Sequence, residues 1–163
     1  MKGLLVLCFC SALYSTVFAQ TQYQPPETDT TTKIYRWELG ALLGEPTVAS
    51  IKYWFDKRFA VDAAVGWSFI NNGKLTAYGD VHYTIWYGRF STGLMPVYAG
   101  AGPVLMVGNG KPIFGVRVVG GVEYMLRNAP ISLFGEIAPR IELTDDTNFG
   151  IGGGIGARWI FGS

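Results

Sequence analysis

From residue 34 to the end, apolar residues recur at every second position, in eight segments: 34–43, 47–55, 59–70, 75–88, 94–107, 113–126, 131–144 and 149–161. No apolar stripe at helical spacing competes with this alternation. A period of two is the signature of strands with one face buried against apolar material. Most junctions carry turn chemistry: Gly44-Glu45-Pro46, Asp56-Lys57-Arg58, Asn71-Asn72-Gly73-Lys74, Gly108-Asn109-Gly110-Lys111, Arg127-Asn128-Ala129-Pro130 and Asp145-Asp146-Thr147-Asn148. These are the residues that close tight hairpins. Only Arg89 to Gly93 reads as a looser connection.

Sorting each segment by parity separates two faces. Tyr35, Trp37, Leu39, Ala41 and Leu43 oppose Arg36, Glu38 and Gly40. Ile51, Tyr53 and Phe55 oppose Ser50, Lys52 and Trp54, and the third segment sets Asp62, Gly66 and Ser68 against Val61, Ala63, Val65 and Trp67. Val81, Tyr83, Ile85 and Tyr87 oppose Tyr78, Asp80, His82 and Thr84. Arg117 and Glu123 share one parity of the sixth segment, and Glu136, Arg140 and Glu142 share one parity of the seventh. Four segments hold more than one ionisable residue, and each keeps them on one side. Chance would give that agreement about one time in thirty.

The polar face does not read as a solvated skin. Its bases are Arg36, Lys52, Arg117, Arg140 and Arg158; its acids are Glu38, Asp62, Asp80, Glu123, Glu136 and Glu142. Four of the five bases are arginine, the cation suited to buried bidentate pairing with carboxylates. The near balance of signs, mixed with glycine and small hydroxyls, predicts a packed, ion-paired interior. The apolar face is then the outside. Its aromatics gather at the segment ends: Tyr35, Trp37, Tyr53, Phe55, Phe59, Tyr87, Tyr124, Trp159 and Phe161 at one end, Trp67, Phe69, Phe114 and Phe149 at the other. Two aromatic girdles flanking an aliphatic band are what a barrel presents to the two faces of a bilayer. An even number of strands closes the sheet with no open edge. The expectation is an all-β, eight-stranded, antiparallel up-and-down transmembrane barrel over residues 34–163.

The whole segment after residue 33 resembles the small eight-stranded outer-membrane barrels of the OmpA transmembrane-domain and OmpX type. The closing stretch NFGIGGGIGARWIF (148–161) carries the resemblance furthest. Gly156, Trp159 and Phe161 are spaced like the C-terminal signal read by the barrel assembly machinery, and Gly162-Ser163 follow the last aromatic. The resemblance implies the cell outer membrane of a Gram-negative-type bacterium, outer-membrane lipid as surroundings, and that machinery as the partner during insertion. A monomer is expected.

The N-terminus agrees with export. Lys2 precedes an apolar run from Leu4 to Val17, and Val17-Phe18-Ala19 sets up cleavage after Ala19. Residues 1–19 read as a signal peptide, with a retained anchor as the alternative. Residues 20–33 are polar, with Pro25-Pro26 and a threonine run, and read as a disordered leader. Both cysteines, Cys8 and Cys10, lie within residues 1–19, so disulfides and cysteine metal sites are not expected. Hydrophobic residues make up 49% of the 163 residues and charged residues 15%, below the usual share for soluble domains. A formal net charge of +1 gives no electrostatic reason to expect a nucleic-acid partner.

Candidate chemistry is sparse. His82, the one histidine, shares a face with Asp80 and Thr84 and reads as an interior hydrogen-bonding residue. No cofactor, metal or catalytic residue is expected. The reading is a structural or surface-related barrel filled by its own side chains, with Trp54, Tyr78 and Trp86 inside. Arg140 is expected near Glu123 and Glu142, and Arg158 near Glu38 or the neighbours of Arg36. The alternatives are a narrow passive pore, a lipid-modifying barrel enzyme, and a periplasmic ligand-binding barrel. The last would hold its apolar face inside. Pro96, Pro103 and Pro139 interrupt segments that otherwise read as paired strands, so β-bulges are expected around them. The turns are too short for a large binding surface.

Overall fold

A computed structural model describes residues 37–69, 73–144 and 147–161. The expected signal peptide and leader, Tyr35 and Arg36 lie outside the described residues. So do Asn71, Asn72, Asp145 and Asp146 of two turns.

Eight antiparallel strands close into a barrel in sequence order: β1 (Trp37–Glu45), β2 (Thr47–Trp54), β3 (Phe59–Ser68), β4 (Lys74–Phe90), β5 (Gly93–Val107), β6 (Ile113–Leu126), β7 (Ile131–Glu142) and β8 (Asn148–Phe161). The ring shuts where β8 pairs β1, with Phe161 opposite Trp37 and Gly153 opposite Glu45. The first and last described strands therefore start and end at one rim, called here the terminal rim. The hairpin turns between β1 and β2, β3 and β4, β5 and β6, and β7 and β8 form the other, the loop rim.

The stagger follows from the pairing. One row of partners runs Arg158–Gly40–Ser50–Ala64–Tyr78–Val104–Gly115–Glu142 and returns to β8 at Asn148, ten residues from its start. Over eight strands spaced about 4.7 Å apart, that stagger tilts the strands roughly 40° from the axis. A barrel of this size has an interior just wide enough for side chains to fill.

Parity then assigns the two faces. Trp37, Leu39, Leu43, Ile51, Val65, Trp67, Val81, Val116, Val118, Leu133, Ile137, Ile151 and Ile155 are exposed on the outer wall. Their alternate neighbours face inward, and the charged ones among them, such as Glu38, Lys52, Asp80, Arg117 and Glu136, are buried. Aromatics line the terminal rim: Trp37 meets Tyr53 in a tilted contact at 4.5 Å, Tyr53 meets Phe55 edge-on at 5.0 Å, and Phe59 meets Tyr83 at 5.0 Å. Trp67, Phe69, Phe114 and Phe149 stand exposed toward the loop rim.

Three expectations are corrected. Trp86 is not inside; it is 50% exposed on the outer wall. The register of β4 against β5 shifts between Thr84 and Trp86, so Ile85 and Trp86 both face outward. A bulge adds one residue to a strand and so reverses parity beyond it; Trp86 and Phe90 share the outer face, and Tyr87, expected in the outer girdle, turns inward. Of the prolines, Pro96 lies beside that bulge, which falls opposite Tyr98 and Val97, but Pro103 and Pro139 shift no register. The ladder skips two pairs beside Pro96 and beside Pro139 on the β6 side, and two beside Pro103 on the β4 side, and resumes in register each time. A missing amide hydrogen costs a ladder bond without requiring an extra residue.

Candidate functional site: the charged lumen

The polar face of the sheet lines a lumen in which Glu38, Lys52, Asp62, Asp80, His82, Arg117, Glu123, Glu136 and Arg158 are all buried. Strand pleating puts them there, since each sits at the inward parity of its strand. Their connections fall into three groups.

The first group lies toward the terminal rim. Lys52 Nζ donates to Glu123 Oε2 at 2.5 Å, and both side chains are 0% exposed. Lys52 is on β2 and Glu123 on β6, four strands apart in a ring of eight, so this pair bridges opposite walls. The ammonium also lies over the rings of Trp54 and Tyr98, 4.3 and 4.8 Å from their centroids. Glu38 accepts from Trp54 Nε1 at 2.6 Å and from Ser132 Oγ at 3.1 Å. Arg158 reaches from β8 to β3, donating to Asp62 Oδ2 at 2.6 Å, and donates to Ser50 Oγ at 3.0 Å on the way. Its guanidinium stacks on Phe134 at 3.6 Å.

The second group centres on Arg117. Its guanidinium contacts Asp80 Oδ2 at 3.1 Å and Glu136 Oε1 at 3.0 Å and stacks on Tyr78 at 3.6 Å. The Tyr98 hydroxyl donates to Glu136 at 3.1 Å. The third is a single pair near the loop rim, Arg140 to Glu142 at 3.1 Å, two residues apart on one strand.

Arg140 thus meets Glu142 but not Glu123, which Lys52 takes, and Arg158 bonds Asp62, while Glu38 bonds Trp54 and Ser132. The stagger explains both outcomes, because partners across a tilted ring are set by the row and not by nearness in sequence. His82 is 1% exposed, stacked 4.6 Å from Tyr98 with its Nε2 4.0 Å from Asp80.

Apolar side chains share this lumen. Leu42, Val48, Ala64, Tyr78, Val104, Met106 and Phe134 form one packed cluster, and Tyr98, Val119 and Ala138 another. Beside them, a cavity of about 10 Å³ is lined by Thr76, Arg117, Arg140 and Gly152 among others, space for about one water molecule. The β8 glycines fit this crowding. A Cβ on Gly156 would lie 2.5 Å from the ring of Phe134, and Gly153 adopts φ 143°, a backbone that other residues rarely take. Sequence reasoning placed Ser50 on the inner face but missed Tyr98, Phe134 and Ser132 as lumen partners. Tyr98 lies on β5, whose described strand holds no ionisable side chain other than that tyrosine, so parity alone could not tell its inner face from its outer one.

Gly156 faces inward, while Trp159 and Phe161 are exposed on the outer wall of β8, opposite Leu39 and Trp37. No protein-family model and no curated protein matches the chain. Among solved structures, the N-terminal β-barrel domain of Pseudomonas aeruginosa OprF superposes with a TM-score of 0.61 at 12% identity, over 77% of this chain and 96% of that one. The fold is that of the small OmpA-like eight-stranded barrels. At such identity the likeness speaks to architecture alone.

Proposed function

We propose that this chain is an integral barrel of a bacterial outer membrane whose lumen is closed by its own side chains, with a structural or surface-related role. The outer wall supports the membrane reading. Among the described strand residues, the charges outside the three lumen groups are Glu45, Lys74 and Arg89, all at strand ends, and Glu45 turns in to bond the buried Ser68 hydroxyl. The wall between is uncharged, aliphatic at mid-height and aromatic toward both rims. A water-soluble ligand-binding barrel would invert that arrangement, keeping charge outside.

The observation that carries the closed lumen is the Lys52–Glu123 pair, a brace at 2.5 Å between opposite walls. The apolar cluster of Leu42, Val48, Met106 and Phe134 adds dry packing to it. The interior place of His82 speaks against a lipid-modifying enzyme, which needs its catalytic histidine at the lipid-facing rim. Export through residues 1–19, recognition of Gly156, Trp159 and Phe161 by the assembly machinery, and a monomeric state complete the reading.

Two measurements test it. The folded chain should sit in the membrane pellet and change gel mobility on boiling; recovery as a detergent-free soluble protein would end the reading. Reconstituted in a planar bilayer it should be electrically silent, and steady conductance would transfer the case to the narrow pore.

A further inference from the structure

The two rims differ in charge. Each of the three hairpin turns at the terminal rim carries base: Lys57 and Arg58 between β2 and β3, Arg89 at the end of β4, and Arg127 between β6 and β7, against one acid, Asp56. The loop rim holds Lys74 and Lys111 against Glu45, and its sequence adds Asp145 and Asp146. Lys57, Arg89 and Arg127 are exposed, and Arg58 is half-buried.

These turns are fixed in height by tyrosines at the terminal rim, Tyr83 and Tyr124 on the aromatic girdle and Tyr87, which the β4 bulge turns inward. Arg58 donates from Nη1 to the Tyr83 hydroxyl at 2.8 Å, and its carbonyl accepts from Thr84 N at 2.8 Å. The Tyr87 hydroxyl donates to the Lys57 carbonyl. The Tyr124 hydroxyl is hydrogen-bonded to Thr92 Oγ1, and Arg127 N donates to the Thr92 carbonyl at 3.0 Å. Tyrosine rings in such girdles sit with their hydroxyls at headgroup level. The Arg58 side chain, bonded to one of those hydroxyls, and the turns that carry Lys57 and Arg127, held through their backbones, stand where lipid phosphates lie.

From this we infer that the terminal rim is a binding surface for anionic glycerophospholipid headgroups of the adjoining leaflet, with Lys57, Arg58, Arg89 and Arg127 as its cationic contacts. The inference rests on the membrane reading above. Charge complementarity selects the lipid: a zwitterionic headgroup offers no net charge to four cations, whereas each added anionic headgroup neutralises one. A base near an anionic surface strengthens binding by roughly fivefold, and the contribution weakens as salt screens it.

The test uses the full chain folded in detergent micelles, with native mass spectrometry reading retained lipid at matched phosphatidylglycerol and phosphatidylethanolamine. The expected result is preferential retention of phosphatidylglycerol, reduced at least about tenfold in K57Q/R58Q/R89Q/R127Q and unchanged in K74Q/K111Q. The variant K57Q/R89Q/R127Q keeps the Arg58–Tyr83 bond and should show most of the loss. Equal retention of the two lipids, or an equal loss in the loop-rim variant, would overturn the inference. The boiled-versus-unboiled mobility shift separates the outcomes. A shift with no lipid preference sinks this inference alone, whereas absence of the shift sinks the membrane reading and this inference with it.

Discussion

Lys52–Glu123 and Arg140–Glu142 have the same chemistry and nearly the same lumen, yet they do different things. The first joins walls four strands apart, and neither partner is exposed. The second joins neighbours on one face of one strand near the loop rim, with side chains 10% and 13% exposed. The energetic difference comes from what remains when one partner is removed. A charge left behind in the middle of the lumen has no water at hand: without Glu123 the Lys52 ammonium keeps Glu38 and Asp62 as neighbours in register but loses the carboxylate it donates to, so its desolvation is relieved only in part. A charge left behind at the rim rehydrates, and the net worth of such a pair is small.

Four substitutions set that contrast to the test. Glu123→Gln takes from the Lys52 ammonium its hydrogen-bonded carboxylate, leaving Glu38 and Asp62 as its neighbours in register, and should lower the unfolding free energy in lipid vesicles by about 3 kcal/mol; the double variant K52M/E123L should recover most of it, since well-packed apolar replacements of a buried pair are often neutral. Denaturant titrations of both proteins read the effect, and a single-variant loss no greater than that at Glu142 would break the comparison. Arg158→Met leaves Asp62 without its cation and should cost about 3 kcal/mol by the same measurement. Gly156→Ala drives a methyl against the Ala41 carbonyl oxygen and the Phe134 ring and should cost about 1–3 kcal/mol as overpacking; a stability equal to the parent's would show that the barrel has slack at this level. Glu142→Gln should change stability by less than about 1 kcal/mol, with the mobility shift on boiling intact.

The wall was legible in the sequence and the wiring was not. Period-two parity places Glu38, Lys52, Asp62 and Arg117 on the face that lines the lumen, because a strand leaves a side chain only two directions. It fails at Trp86, where one added residue in β4 reverses the two directions and no local residue type announces it. It also cannot choose among partners. Arg158 and Asp62 are 96 residues apart and meet because the ring closes with a ten-residue stagger. That number emerges only when all eight pairings are fixed together. Phe134 was hidden for a further reason: an aromatic reads as lipid-facing, yet here its ring is a platform for the Arg158 guanidinium.

The ten-residue stagger has a consequence for fidelity. Strands can slip by two residues without disturbing parity, and on the greasy outer wall such a slip would go almost unnoticed, since Leu39, Ala41 and Leu43 are nearly interchangeable to a lipid. Inside it would not. Sliding β8 by two positions on β1 would carry Arg158 from its place opposite Gly40 to one opposite Glu38 or Leu42, away from Asp62 and Ser50. The scattered acids and bases of the lumen thereby act as a checksum on closure: only one alignment of the last strand on the first lets every cross-wall pair be made.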